Sequence, residues 1–219
     1  PKHALFILAT TEKHKIIPTI LSRCQIFDFN RINHADIVAY LNFVAGQEKV
    51  EIEESGVNVM AHKADGAMRD ALSIFDQIVS FSGNKISYQD VIENLNVLDY
   101  DYYFRLTSHC LQGEITEVLT LFNEILIKGF DGYHFVGGLG AHFRDLLISK
   151  DPATVQLLEV GGEIRDKYKA QASLCSVEFL YKSIEIATDC DINYKTSQNK
   201  RLLVELALIK IAQLGQKKK

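Results

Sequence analysis

The chain has 219 residues, 47% of them hydrophobic and 24% charged, the balance of an ordinary globular protein with a sizeable core. That excludes a disordered or low-complexity scaffold. No stretch approaches the ~20 apolar residues of a membrane span or the basic-then-apolar form of a signal peptide. The net charge of -4 excludes a uniformly basic nucleic-acid binder but leaves room for a local patch.

The first thirty residues read differently from the rest. Ala4–Ala9 is an unbroken apolar run ending in Thr10-Thr11, the pattern of a strand buried on both faces. Pro18–Arg23 predicts a short helix with proline in its first turn, where a missing N–H costs nothing. Gln25–Phe29 predicts a second strand. Strand, helix, strand is a fragment of an α/β domain. With so little sheet, and Pro1 in place of an initiator methionine, the sequence is expected to begin inside a domain of a longer protein.

After Asn30 the pattern is helical. Segments 34–45, 53–64, 67–81 and 87–96 are short and amphipathic, separated by Gly46, Asp65-Gly66 and Gly83-Asn84. A second helical set is predicted at 100–112, 114–128, 133–149, 153–159, 162–172, 177–189 and 197–214. Ile115, Val118, Leu119, Phe122, Ile125 and Leu126 recur at the spacing of one buried helix face. The last helix is apolar on nearly every side, so burial all round is expected, within its own bundle or against another chain. The fold class expected is mainly α, with a two-strand α/β remnant leading into helical modules.

Three spots carry possible chemistry. Thr10 and Thr11 stand at the carboxyl end of the first predicted strand, where open α/β sheets bind ligands; the plainer reading is that they cap the next segment. Arg23, in Ser22-Arg23-Cys24, ends the short helix. There an arginine can reach a phosphate held by a neighbour or simply complement the helix C-terminus. Arg69 falls in a first helical turn, where positive charge opposes the macrodipole unless an anion compensates; the alternative is an exposed side chain paired with a nearby acid.

Other signals are weaker. Cys24, Cys110, Cys175 and Cys190 lack paired spacing, against a disulfide framework or zinc site and consistent with free thiols in a cytoplasmic setting. The seven histidines form no i, i+4 pair or H-E-x-x-H string. Glycine-rich 132–140 reads as close helix packing. Tyr100–Phe104 reads as junction packing. Lys195, Lys200, Arg201 and the terminal lysines are either phosphate contacts or a solvated edge.

In order, "LATT", "IIPTILSRCQIFDF" and "ADGAMRDALSIFDQ" resemble the clamp-loader branch of the AAA+ ATPases, and within it the gamma/tau family of bacterial DNA polymerase III. The resemblance continues through "INYKTSQNKRLLVELALIKI" and so covers the whole chain. It implies sensor 1 at Thr10 or Thr11, an arginine finger at Arg23 acting on ATP in the adjacent subunit, and sensor 2 at Arg69. It further implies a division into 1–30 (end of the nucleotide domain), 31–97 (helical lid), 98–215 (helical collar for oligomerisation) and a tail at 216–219.

The implied partners are the other subunits of a hetero-pentamer, the sliding clamp and primed DNA, with no membrane. The implied cofactors are ATP and Mg in the full-length parent and none in this piece. No G-x-x-x-x-G-K-[ST] string occurs here, nor an acidic Walker B strand, so the piece alone is not expected to hydrolyse ATP. Two rivals remain: another AAA+ motor such as a branch-migration helicase, and an all-helical adaptor without a nucleotide role.

Overall fold

The structure, a computed structural model, describes residues 3–216. The chain divides into two compact units, Pro1–Arg31 and Ile32–Lys219. No helix among the described residues is long and apolar enough to cross a membrane. The terminal lysines at 217–219, and with them most of the expected tail, lie outside the described residues.

The first unit holds a 3-10 turn at Lys13–Lys15 and helix α1, Pro18–Leu21. The two strands expected at 4–9 and 25–29 are not formed. A strand exists only through a ladder with a neighbour, and neither segment has one among the described residues. Their side chains are accordingly exposed: Leu5 at 87%, Phe6 at 77% and Phe29 at 93%.

The second unit is helical, as expected. Its first part contains α2 (His34–Glu48), α3 (Glu54–Lys63), α4 (Met68–Ser82) and α5 (Tyr88–Asn94). Asn33 caps α2 by accepting from Asp36 N–H at 2.8 Å. Ser87 and Asp90 form a reciprocal capping box on α5. Two strands the sequence did not announce, β1 (Glu51–Ile52) and β2 (Lys85–Ile86), pair in parallel with Ile52 opposite Ile86. They tie the chain after α2 to the chain after α4. Ile37, Leu41, Val57, Met60, Phe75, Ile78 and Val91 form the core between these elements.

The second part contains α6 (Tyr100–Gln112), α7 (Ile115–Ile127), α8 (Gly132–Ile148), α9 (Gly162–Leu174), α10 (Val177–Tyr194) and α11 (Lys200–Gln216). Asp99, Asp131 and Ser176 cap α6, α8 and α10 with side-chain oxygens. The helix expected at 153–159 is only a 3-10 turn at Val155–Leu157, too short to repay an α-helical nucleus. Helix α10 runs past the expected end at Asp189, because Cys190 and Tyr194 continue its buried face.

Leu106, Phe122, Phe135, Phe143, Leu180 and Leu208 anchor a second core. Burying each such side chain stabilises by about 1.5–3 kcal/mol. Helix α11 is buried on one side only, through Val204, Ala207, Leu208, Ile211 and Ala212. Leu202 and Leu206 stay 58% and 46% exposed, correcting the expectation of burial all round within the chain. Gly132, Gly138 and Gly140 of α8 lie against neighbouring side chains, whereas Gly137 faces open space. A Cβ at Gly132 would lie 2.8 Å from the Tyr194 hydroxyl, and one at Gly140 rests 3.7 Å from Ala187 on α10.

Candidate functional site

In the first unit, Thr10 Oγ1 accepts a hydrogen bond from Glu12 N–H at 2.9 Å. This is the local capping role such hydroxyls fill at turns. Thr11 occupies the bend that follows, exposed. Helix α1 ends with Ser22 Oγ donating to Thr19 O at 3.2 Å and Arg23 N–H donating to Ile20 O at 3.0 Å. The Arg23 side chain is exposed at this tight helix end. Lys13 and Asp28 form an exposed ion pair at 3.3 Å that joins the 3-10 turn before α1 to the segment after it.

Arg69 belongs to the second unit. Asp65 and Gly66 are consecutive left-handed residues, with φ of 46° and 82°. The second needs glycine's freedom. Gly66 O also accepts from Ile32 N–H at 3.1 Å. This turn aims the chain into α4, whose N-cap is Ala67, without a side-chain cap. Arg69 is therefore an exposed guanidinium in the first turn of an uncapped helix, with backbone N–H groups beside it. Asp70 stands in the same first turn and supplies the negative charge the macrodipole favours. Among the described residues its carboxylate forms no ion pair with Arg69.

The remaining weak candidates resolve into structure. Tyr100 packs on both cores and sets its ring edge-on to Tyr168, with centroids 6.3 Å apart. Tyr103 stacks on Phe135 at 5.9 Å. Tyr100–Phe104 is thus packing at the junction of the cores. Tyr102 instead donates to Glu124 at 2.8 Å and accepts from Lys128. The Tyr102 hydroxyl, followed by Lys128, holds the Glu124 carboxyl below its ordinary range. Lys195 and Lys200 lie over the rings of Tyr133 and Tyr194, at 5.5 and 5.4 Å. Arg201 binds Glu205 and Asn123. These basic groups are engaged along a helix edge.

The sequence reading missed a polar cluster inside the second core. His142 is 2% exposed, and burial pushes its pKa down to about 3. The neutral ring accepts at Nδ1 from the Tyr168 hydroxyl, 3.0 Å away, and donates from Nε2 to Gln171 Oε1 at 3.3 Å. Gln171 Oε1 can only accept, which assigns the tautomer. Gln171 Nε2 donates to Phe104 O at 2.7 Å and to Ser108 Oγ at 3.0 Å. No three His, Cys, Asp or Glu side chains among the described residues are grouped to hold a metal ion.

Comparison with known proteins decides the family. Residues 86–219 match the profile described as DNA polymerase III subunits gamma and tau domain III. Residues 36–84 match the clamp loader subunit ATPase lid domain, and residues 1–33 the DNA polymerase III delta subunit. The chain belongs to the gamma/tau family of DNA polymerase III.

Among relatives in that family, the tau subunit of Bacillus subtilis is 33% identical over 97% of this chain and 38% of its own length. The gamma/tau subunit of Mycoplasma genitalium is 39% identical over 64% of this chain and 24% of its own. The tau subunit of Escherichia coli is 27% identical over 96% and 32%. The chain therefore spans well under half the length of these relatives. A solved clamp loader delta protein of Bacillus subtilis aligns with a TM-score of 0.49 at 20% identity, over 94% of this chain and 64% of that one.

Proposed function

We propose that this chain is a working part of a clamp-loader ATPase subunit, which uses ATP to load a sliding clamp onto primed DNA during replication. The observation that carries this reading is order. A lid profile and a gamma/tau domain III profile fall in succession on two successive helical cores. In this reading residues 31–97 are the lid and 98–215 the collar that gathers the subunits of a hetero-pentamer. Residues 1–30 are the end of the nucleotide domain.

Within that frame Arg69 is sensor 2, facing the γ-phosphate of ATP held by the same subunit. Its exposed guanidinium and the uncapped start of α4 fit an anion. Arg23 is the arginine finger, offered from the end of α1 to ATP of the neighbouring subunit. Thr10 or Thr11 supplies sensor 1. ATP with Mg, bound by the full-length parent, would supply the energy of clamp opening. The metal's carboxylate ligands are not grouped among the described residues; what these residues contribute is a pair of fixed positive charges. Such charges stabilise a transferring phosphoryl group, and an arginine finger is worth about 10³–10⁵ in rate.

The test is made in the full-length subunit assembled with its partners. Arg23→Ala is expected to leave folding and ATP binding intact while depressing DNA-stimulated hydrolysis. Unchanged hydrolysis and clamp loading would remove Arg23 from the site. Arg69→Ala is expected to weaken clamp binding at saturating ATP.

A further inference from the structure

The two cores of the second unit meet at a narrow joint. The chain passes between them at Leu95–Asp99, where left-handed Asn96 (φ 49°) ends α5 and Val97 N–H returns to Ile92 O at 2.9 Å. The ring of Tyr88 packs on both cores. Its hydroxyl donates to Asp99 Oδ1 at 3.2 Å.

Each half of this contact is anchored to its own side. Tyr88 N–H is bound by Glu53 Oε2 at 2.7 Å, in the first core's helices. Asp99 Oδ1 also accepts from Asp101 N–H at 3.0 Å, capping α6 of the second core. The hydroxyl and the carboxylate are therefore carried rigidly by different bodies.

Beside the contact the bodies touch again where Ser55 and Asn58 of α3 face Gly161, a Cβ on which would lie 3.6 Å from Ser55 Cα, and open space flanks that touch. A crevice of about 150 Å³ is bounded by Glu53, Tyr88, Asp99, Glu163 and Lys167. It adjoins a second of about 300 Å³, where Glu53 and Glu54 share the walls with Gly161–Glu163. Carboxylates line both sides and Lys167 is the cation among them, so like charge favours separation.

We infer that Tyr88 and Asp99 form a breakable clasp that sets the angle between the body of residues 32–97 and the body of residues 98–216. The hinge is the 95–99 connector, and the crevice is the space that opens or closes. Tyr88 is a positioning residue. The inference concerns the joint itself and stands whether or not the chain works with ATP.

The test uses spin labels at Gln47→Cys on α2 and Glu185→Cys on α10, both exposed, with the exposed Cys24 replaced by serine. Interlabel distances are then measured in this chain. The parent is expected to give one narrow distribution. Tyr88→Phe keeps the ring and removes the donor, and a hydrogen bond to a charged acceptor shifts an equilibrium by roughly ten- to a hundredfold. A second population is therefore expected. Asp99→Asn keeps the α6 cap and an acceptor oxygen but not the charge, and should fall between. Tyr181→Phe, at an exposed ring on α10, should match the parent. Identical distributions in all four, or equal broadening in Tyr181→Phe and Tyr88→Phe, would overturn the clasp.

Discussion

The Tyr168 hydroxyl donates to Nδ1 of His142 at 3.0 Å in the middle of the second core, joining α9 to α8. The ring cannot take a proton without losing this bond and charging a dry interior. Its folded pKa of about 3 lies below the ordinary value of about 6.5. Between those values the unfolded chain binds more protons, so this group's stabilisation is complete above pH 6.5. It is lost as pH falls toward 3, at up to about 1.4 kcal/mol per pH unit.

Asp145 works against it. Burial pushes its carboxyl up to about 6, despite the pull of Arg144 at 2.9 Å. From its ordinary value of 3.8 to about 6 the folded chain binds more protons, and stability falls as pH rises. The two contributions offset each other in that window. Asp145→Asn should expose the histidine alone: relative to the parent, stability should climb more steeply between pH 4 and 6. Denaturant melts at several pH values would check this.

Replacing His142 with leucine should destabilise the fold by about 2–4 kcal/mol. It leaves the Gln171 carbonyl and the Tyr168 hydroxyl buried without this partner, at roughly 1–3 kcal/mol per orphaned group. A chemical denaturation midpoint that did not move would show the cluster to be incidental.

Neighbouring glycines of α8 should respond oppositely to alanine. At Gly138 the new Cβ would run into the Tyr103 hydroxyl and lie 2.8 Å from its Cζ. That ring is wedged between Phe135 and His142. Gly138→Ala should cost about 1–3 kcal/mol by overpacking. At Gly137 a Cβ meets nothing within 4 Å, so Gly137→Ala should gain about 0.5–1 kcal/mol from helix propensity. Thermal melts of the pair would separate the two glycines.

What the sequence made legible follows from physics that repeats along the chain. Helices α2 to α11 carry apolar spacing and turn residues every few positions, so their existence could be read directly. The runs at 4–9 and 25–29 also carry a pattern, but pairing depends on neighbours that no local pattern supplies. Two-residue strands such as Glu51–Ile52 have no period to detect. His142, Tyr168 and Gln171 are separated by 26 and 29 positions, and nothing in their spacing announces a cluster. Thr10, Thr11, Arg23 and Arg69 stood out only as an ordered set that resembles a family. The structure alone presents a local cap, a bend and two exposed guanidiniums.

Leu202 and Leu206 lie one turn apart on the open side of α11, which suits the collar role proposed for residues 98–215. Leu202→Asp and Leu206→Asp should leave the folded chain within about 0.5 kcal/mol of the parent, as exposed substitutions do. They should weaken self-association or entry into a larger assembly, read by sedimentation.

In the function proposed above, this chain assembles through its helical residues 98–215 as part of a clamp loader. The most direct measurement is its solution mass, alone over a range of concentrations and mixed with the other loader subunits. A mass that rises with concentration, or incorporation into a pentamer without ATP, is the expected result. A strict monomer that ignores those subunits would contradict it.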